Sequence, residues 1–227
     1  MNRIKDVKSI KKGKLRFNDQ SHGEEIANSI SHGVPALFYF IGTFVLAILA
    51  IINQKGLLAI FAVSIFGLCF TLLFLTSFLF HTVKNLKIKK VLQILDHCVI
   101  YLMILGSYTP ICLCSIGGFW GWICFAINFA CCTLGIVVNL IDMHKFYKLS
   151  QALYIIAGWM VVIIAIPAIR VIPVKGLILL VIGGVLYTLS VIFYNLKDTK
   201  FMHFVFHLFV VAGSVLHYLF VLLYISM

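Results

Sequence analysis

Charge is scarce in this chain, and negative charge scarcest: Asp and Glu number 7 among 227 residues against 18 Lys and Arg, and charged residues make up only 11%. A soluble domain carries roughly a quarter charged residues, so a water-exposed globule is excluded. The 63% hydrophobic content and mean hydropathy of +1.11 point instead to a chain that crosses a bilayer repeatedly. Continuous polar sequence is missing beyond residues 1–25, which leaves no room for a separate soluble domain. A Cys-x-x-Cys pair is also absent. The seven cysteines (69, 98, 112, 114, 124, 131 and 132) are odd in number and lie almost entirely within apolar runs, so they read as small buried apolar residues. No apolar core and small-residue cleavage site follow the basic start MNRIKDVKSIKKGKLRFNDQ, so it is not a cleavable signal peptide. It reads as a basic cytoplasmic arm spanning residues 1–25. The +11 formal charge does not indicate nucleic acid, because the basic residues sit in that arm and in short loops beside apolar runs, where anionic lipid headgroups are the fitting partner.

A hydrocarbon core about 30 Å thick takes about 20 apolar residues of helix to cross. Runs of that size occur at about 28–52, 57–80, 95–115, 119–141, 149–169, 175–195 and 201–226, separated by short breaks. The expected fold is therefore an all-α membrane protein, a bundle of seven transmembrane helices over residues 26–227 with sequential neighbours antiparallel. Lysine and arginine set the orientation. The arm holds Arg3, Lys5, Lys8, Lys11, Lys12, Lys14 and Arg16, and alternate loops add Lys84, Lys87, Lys89, Lys90, Lys145, Lys148, Lys197 and Lys200. Only Lys55, Arg170 and Lys175 fall on the other side. Positive charge thus places the N-terminus in the cytoplasm and the C-terminus outside.

Placed by depth, the ionisable residues gather in the cytoplasmic third. The last span begins with His203 and His207, four residues apart, so both imidazoles leave one helix face. That spacing suits a metal clamp, and it also suits two histidines bonded to backbone carbonyls and neighbouring helices. The second span ends with Ser77 and His81, one turn apart, and the third begins with Asp96. A carboxylate inside a membrane is costly without a partner, so Asp96 marks a functional site. Three histidines from two helices match a zinc centre with one open position. The assignment is His81, His203 and His207 as ligands, Asp96 as general base for a water, and Ser77 bonded to that water or to the developing oxyanion. The competing reading is a solvated polar plug where helix ends pack.

Glu25, Asn28 and His32 share a face of the first span and either close this site or cap and dock that helix. His217 reads as a buried, hydrogen-bonded histidine beyond the site. His97 points away from its neighbour Asp96, and His22 and His144 are solvated. Gly117 with Gly121, and Gly183 with Gly184, read as close helix packing. Pro110, Pro167 and Pro173 mark outer helix ends or kinks.

The stretches EEIANSISHG, SFLFH, LDHCVIYLMILGSYTP, YIIAGW, GGVLYTLSVIFY and HFVFHLFVVAGSVLHY resemble, in order and spacing, the bacterial hemolysin III family. That family sits within the progestin and adipoQ receptor group of seven-helix proteins, which are similar in turn to alkaline ceramidases. The resemblance covers nearly everything after residue 20. It implies a cytoplasmic N-terminus, zinc on His81, His203 and His207, and matching Ser77 and Asp96 positions. Phe80 stands where a tyrosine is frequent. What the resemblance implies about activity divides three ways. Ceramidase-like members suggest zinc-dependent hydrolysis of a lipid amide or ester in the cell membrane. The hemolysin name suggests a pore-forming, cytolytic or channel-like protein with structural zinc. A role in membrane homeostasis suggests a sensor of lipid state.

Overall fold

Ser21 opens the first helix ahead of the apolar run. Its hydroxyl oxygen accepts from the Glu24 N–H (3.3 Å), and Glu24 Oε2 accepts in return from the Ser21 N–H (2.9 Å). This reciprocal cap satisfies two otherwise orphaned donors, and Glu24 and Glu25 face the positive end of the helix dipole. Helix α1 accordingly runs His22–Ile52, so its first turn takes residues 22–25 out of the stretch assigned to the arm. The computed structural model describes residues 20–162, 165–196 and 199–227. The rest of the basic arm, residues 1–19, lies outside the described residues.

After α1 come α2 (Leu57–Thr82), α3 (Leu86–Pro110) with a π-helical continuation over Ile111–Ile116, and α4 (Gly118–Asp142). Helix α5 (Tyr147–Gly158) leads through a 3₁₀ segment (Trp159–Val162) towards α6 (Ala165–Val171). Helices α7 (Val174–Asn195) and α8 (Met202–Val221) follow, with a last π-helical piece at Leu222–Ser226. Among the described residues there is no strand, and six helices are long and apolar enough to cross a membrane. The chain is an all-α, multi-pass membrane protein. The run expected to form one span at 149–169 is not a single helix. It narrows to 3₁₀ geometry just after Gly158, where a run of β-branched residues begins, and Pro167 falls in the first turn of α6, where a missing N–H costs least.

Helix α1 packs along α2, α2 along α3 and α7 along α8, and α8 closes back onto α1. Lipid-facing α1 carries Leu37, Phe40, Phe44 and Ile48, while the interior holds an aromatic column. Tyr39, Phe66, Phe70 and Phe74 are fully buried, with Tyr39 stacked on Phe74 at 5.2 Å between centroids. In lipid, helices associate by fit rather than by exclusion of water, and small residues set the fit here. A methyl on Gly67 would overlap Thr43 Oγ1 and lie 2.9 Å from the Thr43 Cα, so α1 and α2 approach almost backbone to backbone. Gly121 likewise sits against the Cys112 carbonyl and Gly183 against His217, whereas Gly184 faces open space.

Candidate metal centre

Three histidines from two helix ends meet at one level of the bundle. His81 lies at the last turn of α2, and His203 and His207 lie in the first two turns of α8. Each offers a ring nitrogen such that all three lie within 4.8 Å of one another. Nitrogens bound to one tetrahedral zinc at about 2.0–2.1 Å would be about 3.3 Å apart, so small side-chain rotations bring the cluster onto an ion. His207 is 1% exposed and His81 5%, and His81 Nε2 is buried with no protein partner among the described residues. A buried unpaired nitrogen is costly, and a metal ion would satisfy it. The donor set fits zinc on that count and on chemistry, being three imidazoles with no competing thiolate.

The opposite edges of two of these rings are held from α1. His81 Nδ1 lies 2.7 Å from Glu25 Oε2, and the other oxygen of Glu25 accepts from Lys89 Nζ of α3 at 2.5 Å. Lys89 also lies over the Phe80 ring, 5.1 Å from its centroid. His207 Nδ1 lies 2.8 Å from Ser31 Oγ. Against the remaining face of His207 lies His32, its ring stacked at 3.6 Å and 16°. His32 is buried, with neither ring nitrogen partnered among the described residues, and it rests on the edge of Phe74 at the top of the aromatic column.

Ser77 is buried one turn before His81. Asp96 is half-buried and lines a cavity of about 170 Å³. His32, Ser77 and Asp96 mark the polar end of that cavity, which runs to His217 between α3, α5, α7 and α8.

Other residues singled out in the sequence fall as follows. His97 also lines the cavity, and its Nε2 meets the Tyr194 hydroxyl at 3.1 Å. His217 lies on the far cavity wall, its ring 5.3 Å from that of Tyr187. His22 and His144 are exposed. Asn28 is fully buried and receives an oxygen contact from Gln20, to which its amide N–H donates. Glu24 is buried and accepts from the Phe201 N–H at the start of α8 (2.8 Å), a role its sequence position does not announce. Ser31 and Lys89 carry no signal in a single sequence, whereas Tyr194 shares a helix with the cavity residue Thr188 and is open to a facing argument.

Comparison with known proteins joins this geometry to a family. The family model for "Haemolysin-III related" proteins matches residues 20–218. The chain is 36% identical over 203 residues to "Hemolysin-3" of Bacillus cereus, covering 89% of this chain and 92% of that protein. It is 36% identical over 201 residues to "Hemolysin-3 homolog" of Bacillus subtilis (strain 168), covering 88% of this chain and 94% of that protein. No solved structure matches. A match running from the cap of α1 through the histidines of α8, at this identity, shows that the chain belongs to the haemolysin-III related family.

Proposed function

We propose that this protein is an integral-membrane, zinc-dependent hydrolase that cleaves an amide or ester bond of a lipid near the cytoplasmic leaflet. His81, His203 and His207 hold the metal. The reading rests on one observation: three histidines within ligand distance of one another adjoin His32 and Ser77, which line the polar end of a largely apolar cavity with one carboxylate, Asp96, among its described lining residues. Zinc in such a site supplies Lewis acidity, which polarises an acyl carbonyl and makes water a nucleophile near neutral pH.

The chain's own groups divide the remaining work. Asp96 takes the proton released as water attacks the acyl carbon and returns it to the departing amine or alcohol. Ser77, which lines the same end of the cavity, orients that carboxylate through its hydroxyl. The cavity lodges an apolar chain and keeps bulk water from the bond being broken. The charge bias across the loops supports an inner-leaflet position for this end of the bundle.

The test pairs elemental analysis of the purified protein with mass-spectrometric comparison of lipids from cells with and without it. Wild type should carry about one zinc per chain, the stoichiometry of a single three-histidine centre, and should deplete one lipid class while a fatty acid accumulates. His203→Ala should lose metal and turnover together. Full turnover in metal-free His203→Ala protein would refute the reading. The relatives' printed name favours a second one, membrane lysis, and dye release from liposomes that survives loss of all three histidines would support it.

A further inference from the structure

We infer that the first turns of α1, residues 24–31, are the positioning frame of the histidine cluster, and that Glu25 and Ser31 dictate which nitrogen of His81 and His207 faces the ion. The inference rests on the metal-centre reading above and deepens it. A neutral imidazole has one N–H and one lone pair, and only the lone pair binds metal. Whatever occupies the far nitrogen therefore decides whether the near one can coordinate.

Glu25 decides it for His81. An ionised carboxylate only accepts, so the hydrogen 2.7 Å from Glu25 Oε2 sits on Nδ1, and Nε2 presents its lone pair to the cluster. This is the buried nitrogen with no protein partner among the described residues. Ser31 decides it for His207 by different chemistry. A serine has one proton, and Ser31 gives its own to the Asn28 carbonyl at 2.8 Å. Its oxygen can then only accept at the 2.8 Å contact with His207, which places that hydrogen on Nδ1 and frees Nε2 as well. A carboxylate and a hydroxyl thus impose the same tautomer on ligands from two helices.

The spacing on α1 explains how one helix reaches both. Residues 25 and 31 are six apart, and at about 100° per residue their side chains leave the helix about 120° apart. Helix α1 lies between α2 and α8, so one direction meets His81 and the other His207. The third ligand is tied through the backbone. Glu24 Oε1 accepts from the N–H of Phe201, which has φ +61° and stands two residues before His203. Each ligand segment receives one bond from the same short stretch. A carboxylate–imidazole–metal relay of this kind typically contributes about 10–100-fold in metal affinity.

A purely structural alternative exists, because Glu25 also joins α1 to α3 through Lys89. The experiment separates the two. Full-length protein in detergent is stripped with a chelator and titrated with zinc against a chromophoric competitor, with thermal unfolding followed on each sample. Glu25→Ala should weaken zinc binding by about 10–100-fold and Ser31→Ala by about 10-fold. Glu25→Gln, which keeps an oxygen to accept the Nδ1 hydrogen, should recover part of the loss. Lys89→Met cuts the tie to α3 but leaves the His81 contact, so it should lower thermal stability and leave zinc affinity at the wild-type value. Wild-type affinity in Glu25→Ala, or an equal loss in Glu25→Ala and Lys89→Met, would overturn the inference. Wild-type protein that takes up no more zinc than His81→Ala would instead defeat the metal centre itself, a separate outcome in the same titration.

Discussion

Replacing Gly67 with alanine tests how tightly α1 is held to the helix that carries His81. The new methyl would overlap Thr43 Oγ1 and sit 2.7 Å from Thr43 Cβ and 2.9 Å from Thr43 Cα, where an ordinary approach needs at least 3.4 Å. Thr43 cannot simply turn aside, since its hydroxyl donates to the Tyr39 carbonyl at 2.7 Å and the clash with its backbone would persist in any rotamer. The helices must therefore separate by several tenths of an ångström along a packed seam, and overpacking of this kind costs about 1–3 kcal/mol. For a chain of this size that is a fall of roughly 3–10 °C in Tm. Thermal unfolding in detergent reads it directly. The discriminating sample is Thr43→Gly with Gly67→Ala, which moves the methyl from one helix to the other. It should recover part of the loss, the 2.9 Å approach to the Cα of residue 43 remaining, and more than Thr43→Ala with Gly67→Ala, where the Cβ of residue 43 still stands in the way. Because α1 also carries Glu25 and Ser31, the single Gly67→Ala variant should bind zinc more weakly than wild type. A Gly67→Ala protein with unchanged Tm would show that the α1–α2 seam is looser than these distances require.

Asp96→Asn keeps the shape of the side chain and removes its ability to take a proton. Turnover should fall by about 10²–10⁴ while zinc measured on the same sample stays at the wild-type amount, and unimpaired turnover would remove Asp96 from the chemistry. Gly184 lines the cavity, and a methyl built there meets nothing within 4 Å. Gly184→Leu should therefore fold at least as well as wild type, keep its zinc, and raise KM for long-chain substrates by filling space an acyl chain would use; an unchanged chain-length profile would count against the cavity as the lipid's seat.

Much of the candidate site is legible in the sequence because its signals are local. His203 and His207 declare a shared face by a spacing of four, Ser77 and His81 do the same, and Asp96 stands out as a carboxylate in an apolar run. The partners that hold these groups are not legible, because each depends on which helices become neighbours. Ser31 is one serine among several near the start of α1, and only the return of α8 onto α1 gives it His207 to meet. Lys89 looks like one more basic loop residue until α3 turns it back towards Glu25. The fifth apolar run misleads for another reason: hydropathy measures what lipid accepts and says nothing of backbone geometry, so the 3₁₀ segment at Trp159–Val162 leaves no trace in it.

The arrangement of polarity also favours hydrolysis over conduction. Glu25 and Lys89 lie with the histidines at the end of the bundle that carries the basic loops, and the two pair with each other, as ionised groups in a membrane must. Directly beyond them His32 rests on Phe74, which stacks in turn on fully buried Tyr39. Continuing straight through the bundle from the histidines would mean displacing that aromatic column, and a water path needs polar lining along its length. The open space lies beside that column instead, from Ser77 and Asp96 along α3, α7 and α8 to Ile111, Leu180 and His217, and its walls are mostly apolar. An acyl chain lying in that cavity would bring its polar end to Asp96, the carboxylate among the cavity's described lining residues.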